Sequence, residues 1–248
     1  MKKKRILFAT IALVLLAVMS YSGHQLLEIN RGNAQQAQLH HQLIAYRPAL
    51  PDFFEPDTDR TNQSILHLQA QFQDVVGWLT IPGTGVDYPF VQGRNNDEYL
   101  HLDLNQRWSA AGTVFMDYRN QSDFSDFNTI LFGHHMRNGT MFGTLQHFNH
   151  RDFFQRNERG LLFLANQTYA IDFMAFAVIS PYDAIVYNPV ISTDEEKLAF
   201  LQHVENIARH YRDIGVTVHD RVVVLSTCNY EFDDARMVLI GKLTAFSA

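Results

Sequence analysis

The sequence predicts a mainly β domain that follows an N-terminal helical region, and three observations support this fold class. From Gly77 onward, short runs rich in Val, Ile, Phe, Tyr and Thr are separated by Gly, Asn and Asp, which is typical of strands and turns. One stretch after Thr193 has helical periodicity instead, and the chain before Gly77 is polar and helix-like. The predicted strands suit a closed barrel or a sandwich, and they are 78–81, 86–91, 112–117, 129–133, 160–166, 168–180, 220–227 and 236–246.

The first 23 residues have the charge pattern of an export signal or a membrane anchor. Four basic residues at positions 2–5 precede an uncharged apolar run, 6–19, which milder residues extend to about 18 positions. The basic flank predicts that the N-terminus is cytoplasmic and that the rest of the chain lies outside the cell membrane. A cleaved signal peptide and an uncleaved single-pass anchor both fit, and we favour the anchor because no Ala-x-Ala pattern follows.

Residues 24–77 are predicted to form two helices joined by a loop with three prolines, Pro48, Pro51 and Pro56. The second helix is the better supported, because apolar residues recur at helical spacing and form one stripe: Ile65, Leu68, Phe72 and Val75. This segment either docks onto the β domain or, over residues 24–45, serves as a stalk. The predicted organisation is an anchor at 1–23, a helical segment at 24–77 and a β domain at 78–248.

One helix is predicted to interrupt the strands. Thr193 begins a capping box with Glu196, and Gly215 ends the segment. Between them, four apolar residues share one helical face: Phe200, Val204, Ile207 and Tyr211.

The charge balance argues against nucleic acid as a partner. The chain has 20 basic and 26 acidic residues, and four of the basic ones precede the apolar segment. The remainder therefore carries 16 basic against 26 acidic residues, a formal net charge of −10. A nucleic-acid-binding domain needs a basic surface instead.

The single cysteine, Cys228, follows an apolar predicted strand. Cysteines of exported proteins usually pair, so one without an internal partner indicates a chemical role. Arg236 opens the next strand, so the two residues are predicted at facing ends of an antiparallel hairpin. A guanidinium draws a nearby thiol toward thiolate, and its planar donors can hold a carbonyl or an oxyanion. A buried structural cysteine is the alternative, and we favour the functional interpretation.

A second candidate, His134, comes directly after a predicted strand and Gly133. Glycine permits an unusual backbone angle, so the next side chain can be aimed into a cleft beside the sheet end. The chain contains 12 histidines, which makes His134 a weak signal on its own.

With these residues in this order, the chain resembles the sortases, the membrane-anchored cysteine transpeptidases of Gram-positive bacteria. Leu-Ser-Thr-Cys at 225–228 matches the family's cysteine signature, Gly133-His134 its histidine signature, and Arg236 its arginine, in the family's order. Segments similar to class B sortases run from about residue 62 to the end: 75–78, 81–84, 87–89, 96–100, 115–120 and 230–232. The resemblance implies an eight-stranded sortase-type β-barrel with N-terminal helices and one helical insertion before the cysteine strand.

The resemblance also implies a mechanism on a sorting motif near the C-terminus of a secreted protein, of the Asn-Pro-x-Thr-Asn type in class B. Cys228 attacks the threonine carbonyl and forms a thioester acyl-enzyme, His134 is the general acid and then the base, and Arg236 stabilises the oxyanion. His135 is expected to face solvent. Class B positions that line the motif pocket are matched by Asn96, Leu100, Ser226 and Thr227.

The scheme requires no cofactor, and no metal site is expected. Asp123 and Asp126 lie close in sequence, but neither they nor the neighbouring histidines have standard ligand spacing. The acceptor amine is expected from a peptidoglycan precursor, or from a pilin lysine if the enzyme builds pili.

Two other protein classes share part of this pattern. A papain-type hydrolase places its cysteine before its histidine, whereas His134 precedes Cys228 here, so the order argues against it. A non-catalytic anchored assembly factor on the same fold would not need all three catalytic positions.

Overall fold

A computed structural model describes residues 2–49, 62–228 and 235–246. The chain divides into two compact units, residues 1–42 and 43–248. The loop of residues 229–234 lies outside the described residues, and so do Pro51, Pro56 and the resembling segment 230–232.

The N-terminal unit is one continuous helix, α1 (Lys2–Leu43). By length and composition, α1 is long and apolar enough to cross a membrane, a test that a signal sequence also passes. No break separates the apolar segment from the polar residues after it, so the first predicted helix is the continuation of the apolar helix. A short 3₁₀ helix, Ile44–Tyr46, follows.

The second unit begins with α2 (Gln63–Gln71), which matches the second predicted helix. Ile65 and Leu68 are fully buried, as the apolar stripe predicts. The stripe is shorter than predicted, because α2 ends at Gln71 and Val75 already belongs to the first strand. Asn62 joins the helix start to the barrel, since its backbone N–H donates to the Ala165 carbonyl at 2.8 Å.

Eight strands close into a barrel, and their bounds follow. They are β1 (Val75–Thr80), β2 (Asp87–Gln92), β3 (Val114–Met116), β4 (Asn128–Phe132), β5 (Arg159–Leu164), β6 (Thr168–Ile179), β8 (Arg221–Cys228) and β9 (Arg236–Ala245). Around the ring the order is β5-β1-β2-β3-β4-β8-β9-β6, and pairing of β6 with β5 closes it. The pairs β2–β3 and β4–β8 are parallel, and the other pairs are antiparallel. This architecture confirms the predicted fold class.

Each predicted strand overlaps one of these eight, but shorter elements were not predicted. The two-residue strand β7 (His210–Tyr211) pairs with β6 outside the ring. The short helix α3 (Arg151–Arg156) follows a 3₁₀ helix, Gly143–Asn149, and a further 3₁₀ helix covers Glu98–Leu100. Elements of two to seven residues are too short to produce a readable hydrophobic period.

Helix α4 (Asp194–Ile207) is the predicted insertion, and its capping box between Thr193 and Glu196 is present. Phe200 and Val204 are fully buried against the outer face of β4, β6, β8 and β9. The helix ends eight residues before Gly215, so Tyr211 lies in β7 and is partly exposed. Alternate residues of β8 therefore enter two different cores: Val223 and Leu225 pack inside the barrel, and Val222 and Val224 pack under α4.

Candidate active site

Strands β4, β8 and β9 bring the three predicted catalytic positions to one edge of the barrel. In the parallel β4–β8 pair every partner lies 94 residues away, from Asn128 and Val222 to Phe132 and Ser226, and the Gly133 N–H donates to the Ser226 carbonyl at 3.1 Å. His134 and Cys228 are separated by the same 94 positions. β4 ends two residues before His134 and β8 ends at Cys228, so both positions lie at the same edge of the sheet.

Arg236 completes the arrangement from the other side of β8. Its Cα pairs with that of Cys228 in the antiparallel β8–β9 ladder, as the hairpin prediction requires. The guanidinium is partly buried, and Nη1 donates to the Ala235 carbonyl at 3.3 Å. The structure describes Cys228 as the last residue of β8, and its side chain lies outside the description.

His134 is oriented by the last residue of the Glu98–Leu100 3₁₀ helix and by the residue after it. Nε2 of His134 lies 2.7 Å from the Leu100 carbonyl oxygen, and the imidazole stacks on His101 with ring centroids 5.9 Å apart. Leu100 thus contacts the histidine through its backbone. His101 was not predicted as a site residue, because an exposed histidine after a short helix carries no pattern.

The glycine before His134 acts differently from the prediction. Gly133 does not have a positive φ. A Cβ at this position would instead lie 2.8 Å from the Phe142 ring, so Gly133 is needed for close packing at the end of β4.

The expectation that His135 faces solvent is wrong. Both ring nitrogens are inaccessible to solvent. Burial lowers the pKa of His135 below its ordinary value, and hydrogen bonds with the Gly143 backbone and the Gln146 side chain oppose that shift. The consecutive histidines therefore differ in their contacts: His134 meets the Leu100 carbonyl, whereas both ring nitrogens of His135 are shielded from solvent.

Asn96 lies in a polar network around a buried carboxylate. The Asp117 side chain is fully buried and accepts from Asn96 Nδ2 at 3.0 Å. Arg119 donates to both carboxylate oxygens, from Nε at 2.9 Å and Nη2 at 2.7 Å. Burial raises the pKa of Asp117, but hydrogen bonds from the Arg119 side chain and backbone and from Asn96 outweigh it, so the net shift is downward.

Ser226 and Thr227, both predicted as pocket residues, point to opposite faces. Ser226 shares the face of Val222 and Val224, and its hydroxyl oxygen lies 2.8 Å from the Tyr187 hydroxyl. Thr227 is on the face of Val223 and Leu225, is 2 % exposed, and its hydroxyl makes no hydrogen bond with the described residues. The structure therefore groups Ser226 with the Tyr187 side of the site and leaves the Thr227 side chain inside the barrel.

The residues described contain no group of three or more His, Cys, Asp or Glu placed to hold a metal ion.

Comparison with known proteins gives one consistent family. The Sortase domain model matches residues 79–244. Sortase B of Listeria monocytogenes is 32 % identical, covering 98 % of this chain and 99 % of that one. Sortase B from Bacillus anthracis, solved in complex with AAEK1, is 27 % identical, covers 87 % of this chain and 99 % of its own, and superposes with a TM-score of 0.76.

A further solved structure, sortase B from the Type II pilus of Streptococcus pneumoniae, is 34 % identical and covers 72 % of this chain and 97 % of its own, with a TM-score of 0.63. The family match, the full-length relative and the eight-stranded barrel agree with one another. The chain therefore belongs to the class B branch of the sortase family, whose members are cysteine transpeptidases of the cell envelope.

Proposed function

We propose that this enzyme cleaves a C-terminal sorting motif of the Asn-Pro-x-Thr-Asn type after its threonine and transfers the secreted protein to an amine of the cell wall. The observation that supports the proposal is that β4, β8 and β9 are neighbours and that His134, Cys228 and Arg236 stand at the same edge of these strands. Residues 1–23 then act as a single-pass anchor, 24–77 as a helical connection and 78–248 as an extracellular catalytic domain.

In the first half-reaction, the Cys228 thiolate attacks the threonine carbonyl carbon and the electron pair moves onto the carbonyl oxygen. The Arg236 guanidinium stabilises the oxyanion through its charge and its planar donors. The C–N bond then breaks, the departing amine takes a proton from the His134 imidazolium, and a thioester remains on Cys228.

In this proposal Nε2 of His134 keeps its proton, because the Leu100 carbonyl 2.7 Å away can only accept a hydrogen bond. Nδ1 is then the nitrogen that gives a proton to the departing amine. In the second half-reaction Nδ1 removes a proton from the acceptor amine, the amine attacks the thioester, and the thiolate of Cys228 leaves.

The motif pocket is proposed to lie between Ser226, Asn96, Leu100 and His134, of which Leu100 contacts His134 directly. Ser226 and Tyr187 form one side through their hydroxyl contact, and Asn96 and Leu100 belong to the segment that orients His134. Thr227 contributes its backbone in this proposal, since its side chain is turned into the barrel.

A second candidate acceptor is a pilin lysine, which the 34 % identity with the pneumococcal Type II pilus sortase favours. The test uses the full-length chain in detergent micelles with a quenched Asn-Pro-Gln-Thr-Asn peptide and, in parallel, triglycine or a lysine-containing peptide as acceptor. Mass spectrometry should detect cleavage after threonine, an acyl adduct on Cys228 and one of the two transfer products. Cleavage that persists in Cys228→Ala would refute the proposal.

A further inference from the structure

The β6–α4 loop, residues 180–193, is held by side chains that reach it from the barrel. Three consecutive backbone carbonyls accept these hydrogen bonds. Asn128 Nδ2 donates to the carbonyls of Val186 at 3.0 Å and Asn188 at 2.8 Å, and Arg119 Nη2 donates to that of Tyr187 at 3.2 Å. We call this set of three bonds the carbonyl clamp.

The first donor of the carbonyl clamp, Arg119, is fixed before it reaches the loop. Its Nε and Nη2 grip both oxygens of the fully buried Asp117 carboxylate, and its backbone N–H donates to the same group at 3.0 Å. Two-point binding by a planar fork sets direction as well as distance. The remaining hydrogen on Nη2 is thereby aimed at the Tyr187 carbonyl.

The second donor, Asn128, is fully buried at the start of β4 and pairs with Val222 of β8. It therefore stands on the two strands that carry His134 and Cys228 at their other ends. Both of its clamp bonds use Nδ2, so the amide has one orientation that serves the loop. These bonds stabilise the loop's geometry, because loss of the bond to the buried Val186 would leave its carbonyl without that partner.

The middle carbonyl of the carbonyl clamp belongs to Tyr187, whose side chain contacts both β4 and β8. Its hydroxyl oxygen lies 2.8 Å from Ser226 Oγ, and its ring stacks on Phe132 with centroids 6.2 Å apart and planes 21° apart. Phe132 and Ser226 are direct partners in the β4–β8 ladder. They stand two residues before His134 and Cys228, respectively.

We propose that Arg119 and Asn128 are positioning residues that act through Tyr187, holding it as the wall of the cleft in which the sorting motif binds. This inference rests on the proposed function, because it assigns the carbonyl clamp a part in motif binding. Because three of its backbone carbonyls are already hydrogen-bonded, the loop offers the motif a preformed surface. Less conformational entropy of the loop is then lost when the motif binds.

Arg119→Lys is the variant that best separates the bond to the loop from the charge beside Asp117. Lysine keeps a positive charge beside Asp117, so no buried carboxylate is left alone, but an ammonium cannot hold both carboxylate oxygens and the Tyr187 carbonyl. The matched control is Arg159→Lys, since Arg159 Nε donates to Asp172 at 2.7 Å between β5 and β6. Both substitutions remove one guanidinium from an Arg–Asp pair, and only the first removes a bond to the loop.

Two measurements on the full-length chain in detergent decide the proposal. In Arg119→Lys we expect KM for the motif peptide to rise about three- to tenfold, the effect of one lost hydrogen bond, with kcat changed less than about twofold. Amide hydrogen exchange of residues 183–190 should be faster in Arg119→Lys than in the wild type and unchanged in Arg159→Lys.

A thermodynamic cycle with Tyr187→Phe tests whether Arg119 acts through Tyr187. The phenylalanine variant loses the contact with Ser226, and we expect the double variant to have a KM close to that of the worse single variant. Fully additive KM effects would overturn action through Tyr187, and so would unchanged exchange of 183–190 in Arg119→Lys. If the wild type cleaves no motif peptide, the proposed motif fails, while the exchange measurement still decides whether Arg119 holds the loop.

Discussion

His134 and Leu100 are joined by a 2.7 Å hydrogen bond between Nε2 and the backbone carbonyl, so the orientation of the candidate acid depends on a main-chain atom. The α-carbon of Gly112 packs against that same carbonyl. A Cβ at position 112 would collide with the carbonyl oxygens of Tyr99 and Leu100. Gly112 thereby supports His134 without contacting it.

Gly112→Ala should lower kcat for the motif peptide at least about tenfold, because the displaced Leu100 carbonyl no longer orients His134. Gly215→Ala is the matched control, since Gly215 also has a positive φ, +67° against +56°, but no atom lies within 4 Å of the added Cβ. Gly215→Ala should lose about 1 kcal/mol of unfolding free energy through backbone strain alone, and Gly112→Ala should lose more because its Cβ also collides with backbone carbonyls; thermal melting measures both losses. Equal kcat in the two variants would contradict the role given to Leu100.

Cys228→Ala and Arg236→Ala should each reduce turnover to background while the melting temperature changes little. In the proposed mechanism, loss of the thiol removes the nucleophile, and loss of the guanidinium removes the charge that stabilises the oxyanion. Arg236→Lys should retain a small fraction of activity, because an ammonium keeps the charge without the planar donors. The acyl adduct on position 228, followed by mass spectrometry, separates the two defects: Arg236→Ala should form it slowly, and Cys228→Ala should never form it.

His134→Gln and His135→Gln should affect different properties. The first should abolish turnover, and the second should leave kcat within about threefold and change stability instead. The folded-state pKa of His135 lies below its unfolded value near 6.5, so the unfolded chain binds the extra proton and folding loses stability as the pH falls below about 6.5. Melting curves at pH 5 and pH 8 should differ less in His135→Gln than in the wild type; an unchanged difference would contradict the burial of this imidazole.

Arg119→Ala should destabilise the fold by about 3 kcal/mol, near the low end for breaking a buried ion pair, because the arginine side chain is itself 40 % exposed. The fully buried Asp117 carboxylate would lose its charged partner. Asp117→Asn combined with Arg119→Ala should recover much of that loss, since the amide carries no charge to leave unpaired. Chemical denaturation of the single and double variants measures both quantities, and a double variant no more stable than Arg119→Ala would argue against a charge effect.

The strands were readable from sequence because each of the eight has an apolar run bounded by turn residues, as in Val222–Leu225 before the cysteine. The carbonyl clamp could not be predicted from the sequence, because Arg119 and Asn128 bind loop carbonyls 58 to 68 positions away and no periodic pattern encodes such contacts. The different contacts of His134 and His135 could not be predicted either, since only the packing at the end of β4 shows which of the two has solvent-inaccessible ring nitrogens. The catalytic positions stood out by residue type at strand ends and by the family signature.

The constant offset of 94 residues between β4 and β8 also has a consequence for folding. A parallel ladder between segments this far apart closes a long loop, and such distant pairings form slowly compared with local ones. The sheet edge that carries Cys228 and the strand leading to His134 is therefore expected to assemble later than a local hairpin such as β8–β9.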